Sequence, residues 1–374
     1  MNPNPFGGVA APLSILLCSL GLTACSGDAP PSAVPEPSFD VQGANLAYND
    51  DVSVEGGGMS VSFNDGNISQ DHVVGQDFLT RLRVGEAHEV SRGSGVRIAL
   101  LDTGVDPHHP ELEGRIRAGR DLVDNDGEPW EARAGQDNDG DGLFDEGYGH
   151  GTHLAGLIAM LAPEAEIVVY RVLGPEGWGT ATGVSQAMTR AVNEGADIIN
   201  LSLGMGASFR AVEQALTYAA DRDVLVVTSA GNRGVSIPEY PAFWPTSIAV
   251  GSAGEDDALS EFSNYGPHLF VSAPGESILS LYPGGGYAAW SGTSMAAAVV
   301  SSLAGLVLAQ DPTLGAAAVA NRIAASTVPG TGTAGITGHG RVDFAAALSE
   351  GITQVDPKEP TEPGTGWTPD FYEP

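Results

Sequence analysis

Five short apolar runs recur along the middle of the chain, and segments of mixed polarity lie between them. The runs are VRIALL (96–101), IVVYRVL (167–173), DIINLSL (197–203), VLVVTSA (224–230) and SIAVGSA (247–253). Between several of them apolar residues recur with helical spacing, as in residues 180–196 and 208–222. Continuous apolar runs that alternate with amphipathic helices are typical of buried parallel strands joined by crossover helices. The pattern therefore predicts an α/β domain with a mainly parallel central sheet and helices on both faces.

A longer run of small apolar residues, beginning near Ser294 and ending near Gln310, predicts a helix buried inside the domain. Ser294 lies at its start, in the stretch WSGTSMAAAVV (290–300). A hydroxyl at this place either caps the first helical turn or is a nucleophile held in the field of the helix N-terminus. The local pattern leaves both interpretations open, because a nucleophile also requires a base and an orienting acid elsewhere in the chain.

The charge balance narrows the range of partners. The chain has 374 residues, with 47 acidic against 16 basic side chains and a formal net charge of -31. Such a surface argues against nucleic-acid binding, which needs basic patches. It suits an extracytoplasmic protein, or one that holds divalent cations.

The N-terminus has the features of an export signal. Residues 13–24 are apolar but too short to span a bilayer, which predicts a signal peptide over residues 1–24. The sequence Leu22-Thr23-Ala24-Cys25 resembles the lipobox of bacterial lipoproteins. That resemblance implies lipidation of Cys25 and anchoring to a membrane surface. Residues 1–12 depart from the usual signal peptide because they contain no Lys or Arg. Simple secretion is the alternative to lipidation.

Both cysteines, Cys18 and Cys25, lie in this N-terminal segment, so we expect no disulfide bond within the mature domain. We interpret residues 25–82 as a polar tether or short pro-region and residues 83–350 as the folded domain. Residues 351–374 are rich in Pro and Glu and predict a disordered tail.

Two further segments carry residues that suit acid–base chemistry. Asp102 follows the first apolar run directly, where an acid is either a turn cap or a reactive group at the carboxyl end of a strand. The stretch GHGTHLAG (149–156) then presents His150 and His153, which are a metal pair or a base and a structural neighbour. Asp, His and Ser in that order along the chain form one known arrangement of the catalytic triad.

Together these segments resemble the three signatures of the subtilisin-like serine proteases, the subtilases. They read Asp102-Thr103-Gly104, His150-Gly151-Thr152-His153 and Gly292-Thr293-Ser294-Met295-Ala296. The resemblance extends over about residues 83–350 and implies the three-layer subtilisin-like α/β fold and serine endopeptidase activity on proteins or peptides, in a protein we expect to be monomeric. It implies that Ser294 attacks the scissile carbonyl, that His150 transfers the proton, and that Asp102 orients the imidazole. His153 is then expected to be structural.

The same resemblance implies further site residues. Asn232, in Ser229-Ala230-Gly231-Asn232, is similar to the asparagine that stabilises the oxyanion. Two segments are similar to the edges that bind substrate as a middle strand: Gly177-Trp178-Gly179 and Ser202-Leu203-Gly204. Glu239 lies by position near the base of the pocket for the P1 side chain. A lone Glu239 favours Lys or Arg there, whereas pairing with Arg233 removes that preference.

An acidic loop precedes His150 and reads DNDGDGLFDE (137–146). Asp137, Asp139, Asp141, Asp145 and Glu146 predict a structural Ca²⁺ site, because carboxylates at alternate positions mimic calcium-binding loops. A solvated acidic loop is the other interpretation.

A second function class stays open. The alternative is a catalytically silent subtilase scaffold that serves as a Ca²⁺-dependent surface binding protein. Intact Asp102, His150, Ser294 and Asn232 argue against it.

Overall fold

A computed structural model describes residues 41–43, 61–62, 68–135, 137, 144–236, 239–330 and 338–349. The predicted signal peptide, Cys25, Asp139, Asp141 and the tail from 351 lie outside the described residues. The strands are β1 Val41–Gly43, β2 Val61–Ser62, β3 Arg97–Asp102, β4 Ile116–Asp121, β5 Glu166–Arg171, β6 Trp178–Gly179, β7 Ile198–Leu201, β8 Leu203–Met205, β9 Leu225–Ser229, β10 Ile248–Ala253, β11 Val271–Pro274, β12 Ile278–Tyr282 and β13 Gly286–Trp290.

The helices lie mainly between these strands. They are α1 Gln70–Val74, α2 Asp77–Arg81, α3 Val84–His88, α4 His150–Leu161, α5 Ala181–Asn193, α6 Arg210–Ala220, α7 Thr293–Gln310, α8 Ala316–Ala325 and α9 Phe344–Leu348, with a 3₁₀ turn at Pro110–Leu112.

Seven of the strands form one sheet in the order β11-β10-β9-β7-β3-β5-β4, and all neighbours in it are parallel. The five apolar runs become β3, β5, β7, β9 and β10, as the pattern predicts. Because the strands are parallel, their carboxyl ends meet along one edge of the sheet. Asp102 ends β3, Ser202 follows β7, and Asn232 follows β9, so residues far apart in the chain converge there.

Each face of the sheet packs against its own helices. Along β3, Ile98 and Leu100 belong to a buried cluster with α4 and α7, whereas Ala99 and Leu101 belong to a second cluster with α5 and α6. This alternation buries both faces of the strand, which explains why β3 reads as a continuous apolar run. The predicted α/β architecture with helices on both faces is confirmed.

Helix α7 runs through the core on one side of the sheet. It is the one helix of the described residues that is long and apolar enough to cross a membrane, and 83% of its apolar window is buried within the protein. We therefore assign it as the core helix that the sequence predicted. Its first turn places Ser294 at the edge of the sheet where the strands have their carboxyl ends.

The packed domain begins before the predicted boundary at residue 83. Phe78 and Leu82, in and directly after α2, belong to the cluster formed by α4 and α7. Helices α1 and α2 have five residues each, which is too short to show an apolar period, so the sequence pattern missed them.

Candidate active site

Asp102 and His150 form a buried pair at the end of β3. His150 Nδ1 lies 2.6 Å from Asp102 Oδ1, and both side chains are fully buried. The backbone N–H of Thr103 donates to the same Oδ1 at 2.8 Å. These contacts fix the imidazole orientation and leave Nε2 facing away from the carboxylate, without a hydrogen-bond partner.

Two glycines let the helix that carries His150 approach the turn after Asp102. A Cβ on Gly151 would lie 1.9 Å from the carbonyl oxygen of Gly104, and Gly104 itself has a φ of +101°. A side chain at either position would separate α4 from the end of β3. The glycines of both motifs therefore allow the close approach that brings Asp102 and His150 into contact.

Ser294 lies in the first turn of α7 and is almost fully buried. Its Oγ donates to the carbonyl of Ser202 at 3.4 Å, while the hydroxyl of Ser202 donates to the carbonyl of Ser294 at 3.0 Å. The first contact is at the long limit of a hydrogen bond, so it holds the Ser294 hydroxyl only weakly.

Asn232 is held by the residue before Ser294. Asn232 Oδ1 accepts from the backbone N–H of Thr293 at 2.8 Å and from its hydroxyl at 2.9 Å. Thr293 Oγ1 also accepts from the N–H of Gly231 at 3.1 Å. Because Oδ1 of Asn232 already accepts two hydrogen bonds, the amide N–H groups of the side chain remain available to bind a ligand.

The two predicted substrate edges pair with a third strand, and that strand comes from the same chain. β1 is antiparallel to β6, with Gln42 opposite Trp178, and antiparallel to β8, with Gln42 opposite Gly204. Its last residue, Gly43, lies opposite Leu203, so the carboxyl end of β1 points toward Ser202. Gly177, at a φ of +75°, forms the turn that precedes β6.

Glu239 lies against two glycines of the cleft. A Cβ on Gly204 would be 2.1 Å from Glu239 Oε2, and one on Gly231 would be 2.8 Å from its Cδ. Arg233 Nε donates to Glu239 Oε1 at 2.8 Å. Of the two sequence-based alternatives, the structure therefore has the one in which Arg233 pairs with Glu239.

His153 occupies a structural position. Its Nε2 contacts the carbonyl of Ile278 at 3.0 Å, and its ring stacks on Trp290 at a centroid distance of 5.1 Å. Burial, reinforced by the charge of His150, lowers the pKa of His153 to about 3. The same indole stacks on His150 at 5.4 Å, so it packs against both imidazoles.

Of the acidic loop 137–146, the structure describes residues 137 and 144–146. Both carboxylate oxygens of Asp145 accept from the backbone N–H of Gly135, and Oδ1 also accepts from Ala134. Asp145 therefore closes the base of the loop. Glu146 is buried beside it, and Asp137 is half-buried. No group of three or more potential metal-ligating side chains is found among the residues that the structure describes.

Two carboxylates near the site were missed by sequence reasoning. Glu176 is buried and accepts from the backbone N–H of Asp145 at 3.1 Å, while its Oε2 has no hydrogen-bond partner. Glu131 accepts hydrogen bonds from Thr103 and from Gly149, the residues next to Asp102 and His150. Neither residue belongs to a motif, and only their long-range contacts identify them.

The arrangement has counterparts in known proteins. The pattern of the subtilase family matches residues 93–340. Thermitase from Thermoactinomyces vulgaris is 39% identical over 263 residues, which cover 68% of this chain and 89% of thermitase. Subtilisin BL from Lederbergia lenta is 37% identical over 279 residues, which cover 72% of this chain and 97% of that protein. The chain belongs to the subtilase family.

Solved structures of subtilases share the fold. A protease from Pseudoalteromonas arctica has a TM-score of 0.66 at 28% identity, covering 71% of this chain and 93% of its own. A cold-adapted subtilisin-like serine proteinase has a TM-score of 0.61 at 31% identity, covering 68% and 90%. The chain is a serine endopeptidase of the subtilisin type, as its sequence motifs predict.

Proposed function

We propose that this subtilase hydrolyses peptide bonds through an acyl-enzyme on Ser294, with His150 as general base and acid and Asp102 as the group that orients it. The observation that carries the proposal is the buried contact of 2.6 Å between Asp102 Oδ1 and His150 Nδ1, with Nε2 left unpartnered. In the proposed mechanism Ser294 Oγ, held only weakly by the carbonyl of Ser202, turns toward His150 Nε2. Such contacts often tighten only when substrate binds.

The reaction then follows from these positions. Ser294 Oγ bonds to the carbonyl carbon while its proton passes to His150 Nε2. The tetrahedral intermediate collapses as His150 returns that proton to the leaving amine, and water repeats the sequence to release the acid. The amide of Asn232 and the backbone N–H of Ser294 stabilise the oxyanion, and the N-terminus of α7 adds a favourable field.

We propose that substrate binds as an extended strand between β6 and β8. The pairing of β1 with both edges supports this, because the two edges are spaced and oriented to accept one more antiparallel strand. The part of residues 25–82 that ends near Gly43 is then a short pro-region, whose strand β1 occupies the cleft until it is cut. The direction of β1 toward Ser202 suggests cleavage within the few residues that follow Gly43.

We propose an extracytoplasmic location, with a lipid anchor at Cys25 that holds the uncut protein on a membrane surface until cleavage after Gly43 releases the catalytic domain, and a structural Ca²⁺ in the acidic loop. Asp137, Asp139, Asp141, Asp145 and Glu146 would hold the ion, and Glu176 joins them because its buried Oε2 has no hydrogen-bond partner and Oε1 contacts Asp145. The ion would supply charge balance for these carboxylates and brace the entry to the helix of His150. A Ca²⁺-dependent binder that lacks activity is the competing proposal.

A serine-directed fluorophosphonate probe tests the catalytic proposal. We expect covalent labelling of the wild-type protein on Ser294, and none of Ser294→Ala, which removes only the attacking hydroxyl. Ser302→Ala is the matched control, because Ser302 is another buried serine of α7 and its hydroxyl donates to the carbonyl of Ala298 within the same helix. Folded wild-type protein that resists the probe and leaves peptide substrates intact would favour the binder.

The same variants test the pro-region. N-terminal sequencing of the wild-type protein should give a start shortly after Gly43, whereas Ser294→Ala should keep the upstream residues. An identical N-terminus in both proteins, with the segment still attached, would contradict self-cleavage.

A further inference from the structure

Glu131 contacts the residues next to Asp102 and His150 in the chain. Its Oε1 accepts from the hydroxyl of Thr103 at 2.5 Å and from the backbone N–H of Gly149 at 2.9 Å, and its Oε2 accepts from the hydroxyl of Thr152. Thr103 follows Asp102 directly, and Gly149 directly precedes His150. One carboxylate thus joins the end of β3 to the first turn of α4.

The backbone around Glu131 also hydrogen-bonds to the turn that follows Asp102. The N–H of Glu131 donates to the carbonyl of Val105 at 3.2 Å, and the N–H of Val105 donates to the carbonyl of Pro129 at 3.3 Å. A Cβ on Gly104 would lie 2.9 Å from the backbone nitrogen of Glu131. This close packing leaves the carboxylate little freedom to move away from Thr103 and Thr152.

We propose that Glu131 is a positioning residue of the active site, which ties the Asp102 turn to the His150 helix and places a second negative charge behind the imidazole. The inference rests on the proposed function, because it acts through Asp102 and His150 and touches no substrate. A negative charge at this place favours the imidazolium that forms during acyl transfer, in addition to the contribution of Asp102.

The surroundings of Glu131 make this charge dependent on pH. Burial, followed by the nearby charge of Asp102, raises the pKa of Glu131 to about 7, and the bonds from Thr103, Thr152 and Gly149 oppose that rise. The other ionisable groups on this side are Tyr148, Asp106 and Arg133. The guanidinium of Arg133 stacks over the ring of Tyr148 at 4.5 Å, and burial, followed by the charge of Glu131, raises the pKa of Tyr148. Glu131 therefore titrates in the same range as an ordinary histidine.

Glu131→Gln tests the proposal, because it keeps the shape of the side chain and removes its charge. We expect kcat to fall roughly 3- to 30-fold with KM nearly unchanged, since the charge acts on the transition state rather than on substrate binding. The acidic limb of the pH profile should move to lower pH, because a negative charge that favours the imidazolium is removed. The matched control is Glu128→Gln, an exposed carboxylate on the same loop, which should leave both kcat and the limb unchanged.

A second variant acts through the pKa of Glu131 and keeps its carboxyl group. Thr152→Val removes a hydrogen bond that lowers this pKa, so Glu131 stays neutral to higher pH, and the acidic limb should again move to lower pH, by less than in Glu131→Gln. It also removes the acceptor of the N–H of Asp106, so its folding is checked by circular dichroism. A purely structural role for Glu131 would lower activity in both variants without moving the limb in either.

A readout that does not involve activity completes the test. Since the folded-state pKa of Glu131 lies above that of the unfolded chain, its contribution to stability is lost as pH rises from about 4.5 through about 7. In the inactive Ser294→Ala background, Glu131→Gln should flatten the fall in thermal midpoint over that range.

The outcomes separate this inference from the proposed function. Labelled wild-type protein together with wild-type kinetics and an unchanged pH limb in Glu131→Gln would overturn the role of Glu131 alone. If Glu131→Gln does not fold, Thr152→Val decides by whether the limb moves to lower pH, with Thr103→Ser as its control because serine keeps the hydroxyl that donates to Glu131. A folded wild-type protein that takes no probe would instead overturn the triad itself.

Discussion

The pairing of Arg233 with Glu239 predicts a specificity switch. The side chain of Glu239 is only 12% exposed, whereas that of Arg233 is 55% exposed and reaches over it from the rim of the cleft. Removing Arg233 leaves a nearly buried carboxylate without its cation. Arg233→Ala should therefore convert an indifferent P1 pocket into one that prefers Lys or Arg.

The size of the switch follows from the geometry of the pair. Arg233 Nε and Glu239 Oε1 are 2.8 Å apart. At an effective dielectric constant of about 20, two charges ~4 Å apart interact by ~4 kcal/mol. Because Arg233 is more than half exposed, we reduce this to ~1–2 kcal/mol. A substrate cation that replaces Arg233 would recover a similar amount, which corresponds to roughly a 5- to 30-fold gain in kcat/KM.

Paired peptide substrates that differ only at P1 measure this effect. The ratio of kcat/KM for Arg over Leu should rise in Arg233→Ala, and the gain should shrink as salt concentration increases. Arg190→Ala is the matched control, since Arg190 forms a comparable pair with Glu194 at 2.7 Å on α5, away from the cleft. A ratio that stays within about two-fold of wild type would show that Glu239 does not sense the P1 side chain.

Three further predictions concern the oxyanion site, acid stability and the cation. Asn232→Ala should lower kcat about 100- to 1,000-fold with little change in KM in steady-state assays, because its amide acts on the transition state; a uniform rise in KM would contradict this role. Since the pKa of buried His153 is lowered to about 3, stability should be lost as pH falls from about 6.5 toward 3, by on the order of 3 kcal/mol at pH 4. Thermal melts of the Ser294→Ala protein should show this loss, and His153→Gln should reduce its pH dependence; an equal slope in both would refute the assignment. Chelation by EGTA should lower the thermal midpoint, added Ca²⁺ but not Mg²⁺ should restore it, and Glu176→Gln should weaken the effect; a midpoint insensitive to EGTA would contradict the calcium proposal.

Local patterns were sufficient for the main elements of the fold. β3 and α7 were predicted because a strand buried on both faces and a helix buried on all sides must be almost wholly apolar. The ordered motifs around Asp102, His150 and Ser294 were equally visible, since each needs glycines or small residues at fixed neighbouring positions. Short helices such as α2 were missed because five residues cannot display a helical period.

Local sequence was thus enough to predict the main elements, the reacting side chains and the order in which they occur. Three long-range contacts emerged only from the folded chain: Arg233 with Glu239, Glu131 with the turn after Asp102, and β1 with both edges of the cleft. Apolar periodicity and turn chemistry depend on near neighbours, whereas these contacts depend on sheet order, strand register and the packing of loops that no local pattern encodes.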